Sequence, residues 1–259
     1  GSTSVCTVSG TTVTFVTAGS CVVNADQSGN TYYSAATQVQ RTFTVSAGTQ
    51  ATLTASASIT TAAYTGTAYT AIPSLSTGSS GSGTGAVTYA IATGGNATNC
   101  QLSSSAANAS LTADSSGTCY IKATKASDSN YNSADSANLI FTFTKAILAT
   151  PADPSVTQPA SSSDRLVVSW TAVSNSTKYK VTLYDSTGST SLGSFTTTNA
   201  STLTYTYTGL TSNTSYKFSI IAIGGGNYLD SLESNLISRS TKVQPTSPTP
   251  LTVTYKVGS

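Results

Sequence analysis

The sequence predicts an all-β chain of tandem β-sandwiches, the first of them incomplete. Three observations carry that expectation. Roughly a third of the 259 residues are Ser or Thr, Met and His are absent, and Glu233 is the sole glutamate, so the usual surface formers of helices are missing. Short alternating runs rich in Val, Thr, Tyr and Phe recur between Gly/Ser/Asn-rich turns. The stretch after Cys21 repeats after Cys119.

The repeat is gapless over about 25 residues: Tyr33 falls on Tyr131, Phe43 on Phe141, Thr44 on Thr142 and Val45 on Phe143. In each copy a cysteine opens an alternating strand, Cys21-Val22-Val23-Asn24-Ala25 or Cys119-Tyr120-Ile121-Lys122-Ala123. A polar turn follows, Ser28-Gly29-Asn30 or Ser127-Asp128-Ser129-Asn130, and the copy closes on Arg41–Val45 or Leu139–Phe143. Before its cysteines the second copy has strand signals at 53–60, 64–72 and 86–91, with a Gly/Ser-rich loop over 77–85. The first copy has only Gly1–Val5 there, so about half a sandwich is lacking and an apolar face and strand edge are expected to lie open. The chain also opens without Met and inside a repeat, as a mature or excised segment of a longer protein would.

Cys6 and Cys21, then Cys100 and Cys119, form two local couples, and pairing within each is the simplest connectivity. Neither Cys-x-x-Cys knuckles nor histidines are present to hold zinc. Disulfides place the chain in an oxidising, extracellular setting.

Residues 1 to about 146 resemble the immunoglobulin-like repeats found in tandem in large bacterial surface proteins and adhesins. The resemblance rests on Val5-Cys6, Gly10, Val13-Thr14-Phe15, Gly19-Ser20-Cys21, Gly29-Asn30, Tyr33-Ser34-Ala35-Ala36 and Phe43-Thr44-Val45. The second copy is looser, with Ser127-Asp128 for Gly-Asn and Phe143 for the closing valine. The resemblance implies an extracellular spacer or adhesin role and no particular ligand.

From Ile147 the pattern changes at Pro151, Pro154 and Pro159. Leu166-Val167-Val168-Ser169-Trp170, the strand Tyr179–Tyr184, and Thr208-Gly209-Leu210 before Tyr216-Lys217-Phe218-Ser219-Ile220 resemble a fibronectin type III domain over 147–243. In that family the Trp packs between the sheets and the Leu-x5-Tyr spacing forms a tyrosine corner, which implies core roles for Trp170, Leu210 and Tyr216. The expected order is therefore a partial immunoglobulin-like repeat (1–46), a complete one (47–146), a fibronectin III-like sandwich (147–243), and a tail (244–259).

That tail joins a proline-rich connector, Gln244–Pro250, to an orphan strand, Leu251–Val257. Val253-Thr254-Tyr255-x-Val257 matches Val87-Thr88-Tyr89-x-Ile91, the strand preceding the first cysteine of the complete repeat. If the tail of one copy ran into the head of the next, the spacing from Tyr255 to Cys6 would match that from Tyr89 to Cys100 to within one residue. Val253, Tyr255 and Val257 are thus candidate assembly residues, and the expected partner is another copy, in a head-to-tail homopolymer joined by strand donation or in a covalent repeat array. The alternative is a carbohydrate- or protein-binding spacer of a secreted enzyme or phage fibre, with a surface glycan or protein as ligand.

With no histidine, one glutamate and the thiols paired, general bases and activated nucleophiles are missing, so no enzyme and no cofactor are expected. A formal net charge of +2 with 8% charged residues offers nothing to a phosphate backbone, and no apolar run is long enough to span a membrane. Asp128–Asn132 begins like a calcium loop but lacks its glycine and closing glutamate, so no metal is expected. Sequons at Asn96, Asn108, Asn175, Asn199 and Asn213 allow glycosylation, although thirteen asparagines in so Ser/Thr-rich a chain yield about that many by chance.

Overall fold

The computed structural model describes residues 4–64, 69–244, 253–254 and 256, and every regular element among them is a strand. The chain divides into two compact units, Gly1–Thr144 and Lys145–Ser259.

The first unit opens with β1 (Cys6–Ser9) and β2 (Thr12–Phe15), an antiparallel hairpin turned at Gly10, whose φ of 59° is left-handed. β3 (Gly19–Ala25) and β4 (Val39–Val45) form a second antiparallel pair. There follow β5 (Leu53–Ser56), β6 (Thr61–Ala63), β7 (Tyr69–Ala71), β8 (Ser76–Ser80), β9 (Val87–Ala92), β10 (Gln101–Leu102), β11 (Leu111–Ala113), β12 (Gly117–Lys125), β13 (Ala134–Asp135) and β14 (Leu139–Thr144). One sheet runs β13-β12-β14-β6 with β9 also on β12, a second runs β10-β11-β7, and β5 pairs with β8. The Gly/Ser-rich stretch expected to be loop from 77 is strand as far as Ser80, because β5 supplies it with a ladder.

Alternation along β12 buries Cys119, Ile121, Ala123 and Lys125 and leaves their neighbours half-exposed. The core gathers Leu53, Tyr69, Leu75, Tyr89, Leu111, Ile121, Phe141 and Phe143, all from β5 onwards. Tyr69 lies 4.9 Å from the Phe143 ring, centroid to centroid, and Phe141 lies 5.0 Å from it.

The second unit contains β15 (Ala146–Ile147), β16 (Ser155–Thr157), β17 (Leu166–Ser169), β18 (Lys178–Tyr184), β19 (Ser191–Thr196), β20 (Thr204–Tyr207), β21 (Ser215–Ile223), β22 (Tyr228–Leu229) and β23 (Ile237–Ser240). Sheets β16-β17-β20 and β19-β18-β21-β23 enclose a core of Leu166, Val168, Trp170, Tyr179, Val181, Phe218 and Ile220. Trp170 stands just past the end of β17, 5.6 Å from the Tyr179 ring. Leu210 packs on this core, and the buried Tyr216 accepts the Thr211 N–H on its hydroxyl at 3.0 Å, which makes the corner that the spacing implied.

Candidate functional site: the open half-sandwich

The structure joins Cys6 to Cys21 and Cys100 to Cys119, with Cα separations of 5.6 and 5.8 Å. The repeat found in the sequence is also a repeat of register. Gly19, Cys21 and Val23 face Val45, Phe43 and Arg41, as Gly117, Cys119 and Ile121 face Phe143, Phe141 and Leu139. Phe43 and Phe141 thus hold the same place beside a cystine, yet Phe141 is 0% exposed and Phe43 is 46% exposed. Among the described residues before 47, Cys6 and Cys21 alone are buried.

The difference follows from which strands each copy has. In the complete repeat β9 lies on one side of β12, β6 lies beyond β14 and β7 beyond β11. In the first repeat β3 pairs with β4, and β2 with β1, with no further strand among the described residues. A groove of about 560 Å³ is walled by Cys6, Thr7 and Val8 of β1 and by Val22, Val23, Asn24 and Asp26 on and just past β3, the equivalents of Tyr120, Ile121, Lys122 and Thr124, on which β9 pairs in the complete repeat. The inner face of β4 carries Val39, Arg41, Phe43 and Val45, so an arginine stands where the complete repeat packs Leu139. Its aliphatic stem suits an apolar neighbour only if the guanidinium reaches water. The outer face is polar, with Gln40 Nε2 donating to Asn24 Oδ1 at 3.0 Å and Gln38 Nε2 to Asp26 Oδ1 at 2.7 Å.

The turn between the last two strands is also repeated, atom for atom. Asp128 Oδ1 accepts the Asn130 and Tyr131 N–H groups at 2.9 Å each, and Asn30 Oδ1 accepts those of Tyr32 and Tyr33 at 2.9 and 3.0 Å. Asp128 has a second task, accepting the Thr84 N–H on Oδ2 at 2.6 Å, and these amides hold its carboxyl below the usual 3.8. This turn also grips the chain leaving the first repeat. Gly48 N donates to Asn130 O at 2.8 Å, Asn132 N to Gly48 O at 2.9 Å, and Ala18 N to Asn130 Oδ1 at 3.2 Å. The Tyr131 ring lies against glycines: a Cβ on Gly48 would stand 3.6 Å from it and one on Gly83 2.9 Å. In the first repeat the equivalent ring, Tyr33, is 76% exposed, and Tyr32 is 88% exposed.

Of the three tail residues singled out in the sequence, Tyr255 and Val257 lie outside the described residues; Val253 is exposed and, like Thr254, in no strand. All five sequon asparagines are exposed. Two have structural work: Asn96 Oδ1 accepts the Thr118 N–H at 2.7 Å, and Asn199 Oδ1 accepts those of Ser201 and Thr202. Asp135 meets Lys122 at 3.3 Å, while Asp164 meets Arg165 at 3.7 Å. Among the described residues no three of His, Cys, Asp and Glu gather as a metal site would need, and no helix is long and apolar enough to cross a membrane. Sequence reasoning missed the clasp on Gly48, which backbone groups make and which no residue type signals.

Among solved structures, the chain resembles the FN5 domain of Drosophila Lar (21% identity, 38% of this chain, 100% of that one, TM-score 0.29). It also resembles a segment of titin (17% identity, 87% and 75%, TM-score 0.34). A third is the chicken CNTN1 FN1–FN3 segment (14% identity, 80% and 71%, TM-score 0.36). No curated protein sequence matches the chain. Residues 149–235, the body of the second unit, match the fibronectin type III domain.

Proposed function

We propose that the chain is an extracellular structural protein, a subunit or segment of a surface filament, stalk or adhesin, in which the first repeat of one copy is completed by the C-terminal strand of another. Fibronectin type III domains serve in surface proteins as structural or binding modules, which fits this general role. The observation that carries the finer reading is the groove along β3, because its β3 wall is equivalent to the part of β12 on which β9 pairs and because Val253–Val257 reads like β9.

The register follows from the copy that is complete. Tyr89 pairs with Ala123 and Ile91 with Ile121, so a donated strand would set Tyr255 opposite Ala25 and Val257 opposite Val23. Tyr89 is buried, and Tyr255 would bring the same ring to the same core face. Backbone hydrogen bonds supply the affinity of such an added strand and its alternate side chains the selectivity. A contact of head to tail that does not close on itself yields an open fibre. One strand supplies one of the five that precede the cysteines of the complete repeat, since β5, β6, β7 and β8 still have no counterpart among the described residues, so the completed first repeat is a reduced sandwich.

The test is electron microscopy of the purified chain alongside a denaturing gel. Filaments that boil down to one band near 26.1 kDa, and that are lost on deletion of residues 251–259, are the expected result. A ladder that survives boiling would mean covalent continuity between copies. Assembly untouched by the deletion would refute strand donation.

A further inference from the structure

The strand groove accounts for Val253–Val257 but leaves two features of the first repeat without a purpose: the exposed ring pair Tyr32–Tyr33, and asparagine at position 30 where the complete repeat has aspartate. We propose that the Asn30–Tyr33 turn is a second half of the acceptor site, and that it takes the proline connector of the donating copy, with Pro250 crossing the Tyr33 ring. This inference rests on the strand-donation reading and extends it to the residues that lead into the strand.

In the complete repeat the chain that enters β9 crosses the equivalent turn. Gly83 and Thr84 run across the Asp128–Tyr131 turn, with Thr84 donating its N–H to Asp128 and Gly83 lying on the Tyr131 ring. Aligning Val253 with Val87 puts Pro250 in the place of Thr84 and Thr249 in the place of Gly83. Proline has no N–H to donate. A carboxylate at position 30 would keep the Tyr32 and Tyr33 amides on one oxygen but find no strand N–H for the other, and would lose solvation there without a partner, whereas asparagine keeps its Oδ1 on the same two amides and brings no charge. The two substitutions match: where the donor disappears from the strand, the charge disappears from the turn.

The rings match as well. Gly83 has a φ of 72°, a left-handed conformation that allows the chain to fold down over Tyr131. Proline biases the residue before it towards extended backbone, so a connector with Pro250 in the place of Thr84 would leave the turn along a straighter course than Gly83 takes. That course calls for a ring standing clear of the surface, as Tyr33 does at 76% exposure. Extended proline segments dock on aromatic rings in this way because their conformation is already fixed before binding.

The experiment measures binding of two fluorescent peptides, residues 251–259 and residues 246–259, to the full chain held too dilute to assemble. The longer peptide is expected to bind about tenfold more tightly, the worth of one aromatic contact and a prefixed backbone. Tyr33→Ser removes that advantage and leaves the shorter peptide unchanged. Asn30→Asp weakens the longer peptide, and changing Pro250→Thr within it restores binding to the Asn30→Asp chain, because the pair then copies Thr84 and Asp128. Equal affinity of the two peptides, or a length advantage that survives Tyr33→Ser, overturns the inference and leaves strand donation standing. Failure of either peptide to bind overturns both.

Discussion

Phe43 and Phe141 are the same residue in the same register, and exchanging each for alanine weighs an open face against a closed one. Phe141 is fully buried among Phe143, Ile121 and the strands beyond β14. Its loss removes the transfer energy of the ring and leaves a cavity, together about 3–5 kcal/mol. Phe43 keeps 46% of its surface in water, so Phe43→Ala forfeits about half of the 1.5–3 kcal/mol that full burial of a Phe side chain confers, roughly 1 kcal/mol, with no cavity to add. In a unit of this size the first change lowers Tm by about 10 °C or more and the second by about 3 °C. Seven tyrosines lie in each unit, so tyrosine near-ultraviolet circular dichroism follows both, and the part of its transition that Trp170 fluorescence does not share is that of the first. Trp170 lies in the second and reports its fluorescence transition, which neither change should move. A Phe43→Ala chain as damaged as Phe141→Ala would refute the claim that the first repeat stands open.

Tyr216→Phe leaves the Thr211 N–H without its acceptor and costs about 1–3 kcal/mol, read as an earlier Trp170 fluorescence transition. Cys100→Ala with Cys119→Ala opens a loop of 19 residues and lowers the stability of the first unit by about 3 kcal/mol in chemical denaturation, with no change in the Trp170 signal. Asp128, Asp135 and Asp185 have carboxyls held below the ordinary value of 3.8, the first mainly by the Thr84 amide and the others mainly by the Thr124 and Thr187 hydroxyls. Their stabilisation is complete above the unfolded pKa and is lost as pH falls through the lower folded ones. Tm should therefore hold level from pH 7 to 5 and drop below pH 4. A profile level down to pH 2 would contradict those hydrogen bonds.

Much of the fold was legible because strands and cystines announce themselves. Alternation in Cys119–Ala123 and in Tyr179–Tyr184 names the buried face, and the Leu210–Tyr216 spacing names a hydrogen bond that exists. The gapless alignment of Cys21 with Cys119 predicted a shared register down to the residue opposite each cysteine. The strand Ser76–Ser80 was hidden, since Ser and Gly carry no period-2 signal and its pairing with β5 is a tertiary matter. The clasp on Gly48 was hidden for a similar reason: it is made of backbone groups, which the letters do not distinguish.

The cystine of the first repeat has a consequence for timing. In the second repeat a cluster of aromatic and aliphatic side chains surrounds Cys119, whereas in the first the sulfurs of Cys6 and Cys21 are themselves the interior. On the strand-donation reading, the edge that receives the strand is fastened by one covalent bond and forms when that bond is oxidised. A chain still reduced, as cytoplasmic thiols are kept, would have hairpins but no fixed groove between them. Competence to receive a strand would then arrive with export, so that copies crowded together during synthesis stay separate until they reach the compartment in which a fibre is wanted.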